Sequence, residues 1–336
     1  MRLTRRGKAV LVVALSGLAL AWLFGARSLN AVVLPAAIAL VAAVLQVATL
    51  DTPSVTRDVP PDGFPGDTGT VTLSFDADSP FGATVTDQLP DGIAGDPVVE
   101  TTVGATPVTY EVTYERRGAH DIGLVTVAAR DVLGLAETEL TVPGQDTVLV
   151  FPTVHEVGPW ARRSIQSLHD VTRSEERDEF DRLREYERGD ALRDIHWRSS
   201  AKRDDLVVKE FAADSMTDTV SLTAGASAGR EDEMAEAAAS VAAVLVSAGI
   251  PVTLTTPGGR VSVGGSNLTP ILEHLSEVGH GQPPTADADV TVFADRETEV
   301  GIDGEVWSFE AMCDTGQGGR RGRAESRDRD AAEVAA

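Results

Sequence analysis

At 336 residues the chain is long enough for two domains of ordinary size, each with its own core. A formal net charge of −23 and a pI near 4.6 argue against a nucleic-acid partner, which wants a basic face. Lysine occurs only at Lys8, Lys202 and Lys209, and this acid-rich, lysine-poor balance reads as that of a halophile-like protein, kept soluble where salt screens its self-repulsion. Cys313 is alone, so no intrachain disulfide is available and the redox compartment stays open.

Residues 1–8 carry Arg2, Arg5, Arg6 and Lys8, and residues 9–26 are then apolar apart from Ser16. Alone, that run is also the length of a signal-peptide core. A second apolar run, residues 31–50, follows a short polar link containing Arg27, and the pair predicts a transmembrane hairpin over residues 1–50. The positive charge before the first span places the N terminus inside the cell. Two crossings return the chain, so the expected location is the cell membrane, multi-pass with two spans, with the soluble domains cytoplasmic.

From Asp51 the texture changes to Pro, Gly, Asp and Thr. Val71, Leu73 and Phe75 alternate with Thr and Ser, as do Val108, Tyr110, Val112 and Tyr114, and Val125 and Val127 repeat the pattern. Short alternating runs between turn signals predict an all-β, immunoglobulin-like antiparallel sandwich of about seven strands over residues 51–152. Residues 154–177 are polar without clear periodicity and read as an exposed loop with a short helix.

Residues 179–213 then hold a dense arrangement of arginines, aromatics and a Gly-Asp pair. Gly189 permits a turn, Asp190 is a good N-cap, and Asp194 and Arg198 stand four apart in the favourable acid-first order. Residues 206–211 read as a strand. Further on, residues 219–223, 251–255 and 289–293 read as buried strands, with helices over 231–248 and 268–278 between them. This order predicts a small parallel α/β domain over residues 153–315. Val261 and Val263 supply a possible hairpin partner, and residues 316–336 read as a disordered tail.

The spacing Arg184-x-Tyr186-x-x-Gly189-Asp190-x-x-Arg193-x-Ile195-x-Trp197-x-x-Ser200-Ala201-Lys202 resembles the signature of the domain-of-unknown-function 58 family, departing from it only in Lys202, where the family has Arg. Residues 130–135 and 148–152 also resemble that family's passage between its two soluble domains. The resemblance implies that the α/β domain is similar to a von Willebrand factor A domain. It also implies a MoxR-type AAA+ ATPase as the protein partner, with the motor supplied by that partner. No G-x-x-x-x-G-K-[ST] phosphate loop occurs in this chain.

Within the signature, Arg184, Tyr186, Gly189, Asp190, Arg193, Asp194, Trp197, Arg198, Ser200 and Lys202 are the candidate partner-binding residues, an anion or acidic-peptide clamp. Packing of Tyr186 and Trp197, with Asp190 and Arg193 merely capping and pairing, is the structural alternative. His196 reads as a bystander to this surface. In von Willebrand A-like domains the first strand ends in Asp-x-Ser-x-Ser, which holds a divalent ion. Thr223, Gly225 and Ser227 occupy the matching place, a degenerate site lacking the carboxylate, so no metal and no cofactor is expected. The run 225–229 also matches G-x-S-x-G, and Ser227 with His274 or His280 forms the alternative reading, a serine hydrolase.

Overall fold

The computed structural model of the chain describes residues 1–24, 27–178, 180–185, 207–211, 219–283 and 288–314. Two compact units divide it, Met1–Phe151 and Pro152–Ala336. The first opens with a short strand β1 (Arg2–Leu3) and the helices α1 (Arg5–Phe24) and α2 (Asn30–Ala48). At 20 and 19 residues, both are long and apolar enough to cross a hydrocarbon layer of about 30 Å. Their flanks do not pack into a soluble core, for Leu15, Leu34 and Val41 are each more than half exposed and Trp22 is 86 % exposed. The helices approach at Gly17, where a Cβ would stand only 2.7 Å from Val33 Cγ2.

Ten strands follow: β2 (Ser54–Asp58), β3 (Thr68–Asp76), β4 (Phe81–Asp87), β5 (Ile93–Gly95), β6 (Val98–Val103), β7 (Val108–Tyr114), β8 (Gly118–Ile122), β9 (Val125–Arg130), β10 (Ala136–Val142) and β11 (Asp146–Val150). They make antiparallel sheets in the orders β1-β10-β9-β4-β6, β2-β3-β7-β5 and β11-β8. One core is shared between them, with Val71 and Leu73 of β3, Val85 of β4, Val112 of β7 and Val127 of β9 nearly or wholly excluded from solvent. Strict alternation along β7, where Val108, Tyr110, Val112 and Tyr114 are buried and their neighbours are not, is the period-two pattern of a strand with one covered face.

A buried ionic knot closes one end of this core. The Arg57 guanidinium donates to both carboxylate oxygens of Asp87, to Asp146, and to the carbonyls of Ile122 and Gly123. Tyr110 donates its hydroxyl to Asp87 at 2.7 Å. Burial and that hydrogen bond push the Tyr110 phenol well above its ordinary value.

The base of the helical hairpin is stitched to the first sheet. Arg2 and Leu3 pair with Glu137 and Ala136 of β10, and Thr4 N donates to Leu135 O at 3.0 Å. Gly7 lies so close to the Leu135 carbonyl that a Cβ has no room. Leu40, Ala43 and Val47 of α2 form a small core with Leu135 and Ala136. The β9–β10 turn is held by Asp131, 5 % exposed, whose carboxylate accepts the Leu133, Leu135 and Ala136 amides at 2.8, 2.6 and 2.7 Å.

The second unit begins with helix α3 (Pro159–Asp178), where the sequence reading expected a loop with a short helix. Ala161, Ile165 and Leu168 bury one narrow stripe at helical spacing, and the polar residues between them hid it. Strands β12 (Phe180–Glu185) and β13 (Val207–Phe211) form an antiparallel pair. Then come β14 (Val220–Ala226), α4 (Glu231–Ser247), β15 (Val252–Thr256), β16 (Gly259–Val263), α5 (Thr269–Glu277), β17 (Val290–Ala294), β18 (Thr298–Ile302), β19 (Glu305–Ser308) and α6 (Phe309–Cys313).

The resulting six-stranded sheet runs β16-β15-β14-β17-β18-β19. Only its centre is parallel, β14 pairing with β15 and β17, so the parallel sheet expected from the sequence is corrected to a mixed one. Pro257-Gly258 after β15 and residues 295–297 after β17 turn the chain straight back into antiparallel strands. Asp303 and Gly304 both take positive φ, 50° and 76°, and make the tight β18–β19 hairpin. Helix α4 has three acids in its first turn, favourable at the positive end of a helix dipole, and its alanines and valines pack against the sheet.

Candidate functional site

Parallel strands aim their carboxyl ends at one edge of a sheet, and open α/β sheets present ligand-binding crevices there. In this unit that edge is formed by the end of β14, the turn into α4, and the end of β17. Ser227 N donates to Ala294 O at 2.8 Å, while Ala226 and Gly281 exchange main-chain bonds of 3.0 and 2.8 Å. These bonds fix the loops against one another.

Beside them lies a cavity of about 640 Å³ lined by His155, Arg230, Glu233, Glu236, Arg296, Glu297, Thr298, Ser308, Phe309, Glu310 and Cys313. Arg230 Nη1 pairs with Glu233 at 2.9 Å, one turn into α4. His155 is anchored three ways: its amide bonds Ser240 Oγ, its Nε2 meets Glu236 Oε2 at 2.9 Å, and its ring packs edge-on against Phe309 at 5.7 Å. Ser308 caps α6 by accepting from Ala311 N. Burial pushes the Cys313 thiol up, away from the reactive thiolate form. The Arg230–Glu233 and His155–Glu236 pairs and the ring of Phe309 stand along its wall. Four separate segments supply this wall, so no local spacing marked it in the sequence.

The stretch matched in sequence to a metal-binding strand end, Thr223 to Ser227, runs through the end of β14. Thr223 is buried inside β14, opposite Thr255 and Thr291 of the neighbouring strands. At Gly225 a Cβ would stand 2.7 Å from Gly281 O and 2.6 Å from Pro283 Cδ, so a larger residue requires that loop to move. Among the described residues no three His, Cys, Asp or Glu side chains form a group able to hold a metal ion.

Ser227 does stand in a strand–turn–helix, the setting of a nucleophile elbow, and is partly exposed. His274 is engaged elsewhere, with its Nε2 2.7 Å from Thr256 Oγ1 at the end of β15. Burial holds that imidazole below its ordinary value, with Glu277 pulling the other way. His280 is exposed. No described hydrogen bond joins either histidine to Ser227.

Of the signature, Arg184 lies in β12, opposite Val208 of β13. Tyr186, Gly189, Asp190, Arg193, Asp194, Trp197, Arg198, Ser200 and Lys202 fall outside the described residues, as do His196 and the tail from residue 315.

No curated protein matches the chain. Among solved structures it is similar to the PKD domain of an M14-like peptidase from the Thermoplasmatales archaeon SCGC AB-540-F20, at 19 % identity over 30 % of this chain and 98 % of that one, with a TM-score of 0.22. It is also similar to an MSP family member of C. elegans, at 12 % identity over 29 % of this chain and 96 % of that one, with a TM-score of 0.21. Residues 182–268, which run from β12 to the approach of α5 and include the signature, match the model of the family described as "Protein of unknown function DUF58".

Proposed function

We propose that this protein is a membrane-anchored, non-catalytic adaptor. In this reading α1 and α2 span the cell membrane and both soluble units, an immunoglobulin-like sandwich and a von Willebrand factor A-like domain, are cytoplasmic. The observation that carries it is the helical hairpin, whose apolar flanks are exposed while its first residues pair into the sheet at Arg2–Glu137 and Leu3–Ala136. Such pairing fits an anchor retained with the fold better than a leader that is removed.

The α/β unit supplies the docking surface, through Arg193, Arg198 and the other signature residues. The resemblance of residues 184–202 to the domain-of-unknown-function 58 signature favours a MoxR-type AAA+ ATPase as the protein docked. Purification of the full chain from native membranes in detergent tests this, with an AAA+ ATPase expected in the co-purified material. Recovery in the soluble fraction, with an ester-hydrolysing activity lost in Ser227→Ala, overturns it in favour of a hydrolase. The strand–turn–helix around Ser227 supports that second reading, and the engagement of His274 with Thr256 counts against it.

A further inference from the structure

We propose that the turn between β9 and β10 is a membrane-interface wedge, with Val132 and Leu133 entering the headgroup–acyl boundary at the base of the α1–α2 hairpin. This rests on the hairpin's being a membrane anchor and adds a second contact with the same leaflet. Val132 is 86 % and Leu133 57 % exposed, although both are apolar and adjacent. Their exposure is built in, because the Asp131 carboxylate takes the amides on either side of the turn, including Leu133 N at 2.8 Å and Leu135 N at 2.6 Å. A turn facing water on every side gains nothing from two such side chains, whereas one facing lipid buries both.

The depth of the turn is set by the helices. Val132 N reaches Gln46 Oε1, in the last turn of α2, and the Thr4 hydroxyl, directly before α1, donates to Gly134 O at 2.6 Å. The turn therefore stands where the chain leaves its apolar spans. Arg5, Arg6 and Lys8 are exposed at the same level, the position at which basic side chains meet lipid phosphates. The turn is tied to α2 by a small buried core, in which Ala43 and Val47 cluster with Leu135.

The experiment uses the full chain, with Cys313→Ser, reconstituted in phosphatidylcholine vesicles containing phosphatidylglycerol and spin-labelled at single cysteines. Labels at Val132→Cys and Leu133→Cys are expected to collide more with dissolved oxygen than with a water-soluble nickel chelate. A label at Val98→Cys should show the reverse, because its register with Thr86 and Thr126 puts it at the opposite end of the sheet from Arg130 and Glu137. Mid-span labels at Leu15→Cys and Val41→Cys test the anchor itself. If these report lipid while the two turn labels behave like Val98→Cys, the wedge is refuted and the anchor stands. If the mid-span labels report water, the anchor falls and takes the wedge with it.

Discussion

Arg57 grips Asp87 through two parallel hydrogen bonds, Nη2 to Oδ1 at 2.8 Å and Nε to Oδ2 at 3.1 Å, with side-chain exposures of 1 % and 0 %. Breaking a buried pair leaves an uncompensated charge, so Asp87→Ala is expected to destabilise the first unit by about 3–5 kcal/mol. Asp146→Ala removes the other carboxylate, whose side chain is 39 % exposed, and solvent screening holds its effect to about 1 kcal/mol or less. Thermal unfolding of the three proteins checks the order. Equal losses would show that the knot acts as one unit.

The Gly7 prediction concerns the seam between helix and sheet. A Cβ at residue 7 meets the Leu135 carbonyl, which is backbone and cannot rotate away. Gly7→Val should therefore part β1 from β10 and destabilise this seam by about 1–3 kcal/mol, read as faster amide exchange at Leu3. Gly82→Ala is the control, since a Cβ there meets nothing within 4 Å, and it should leave exchange unchanged.

Much of this architecture was legible locally. Alternation at Val108, Tyr110, Val112 and Tyr114 gave β7, and the acids followed by a run of alanines and valines gave α4. What escaped was non-local or diluted. Arg57 and Asp87 lie on strands whose own patterns say nothing of each other, and the described part of α3 sets its buried Ala161, Ile165 and Leu168 among arginines and serines. Likewise, the cavity at His155 and Arg230 exists only once β17, α4 and α6 converge. The strand read over residues 219–223 was legible, but the crowding of Gly225 against Gly281 and Pro283 was not.

His274 predicts an acid-side loss of stability in the second unit. Burial lowers its folded-state value, so the unfolded chain binds the proton more readily. The contribution is fully present above the unfolded value of about 6.5 and is lost as pH falls through the folded value. His274→Asn should flatten the dependence of unfolding free energy on pH as pH falls below about 6.5. A slope unchanged by the substitution would assign the effect to other groups.

The signature separates docking from bracing. On the docking reading proposed above, Arg193→Ala and Arg198→Ala are expected to keep the wild-type Tm and lose the protein partner, because removing a charge from a desolvated contact costs about 2–5 kcal/mol of binding. Trp197→Ala, if that side chain is core, loses about 3–5 kcal/mol of stability and binding together. Arginine variants that melt as early as the tryptophan variant would make the motif a structural brace.

The pairing of Leu3 with Ala136 also dictates an order of assembly. Both apolar helices and eight of the strands in this unit lie between the two partners, so Ala136 is synthesised long after Leu3 has left the ribosome. The N-terminal strand must wait unpaired until then, because its edge does not yet exist. Closing that long loop is the slowest kind of contact to form, and it seals the sheet last. A nascent chain stalled before β10 would therefore carry its first residues unpaired, and, with the hairpin acting as the anchor proposed above, would already be held in the membrane.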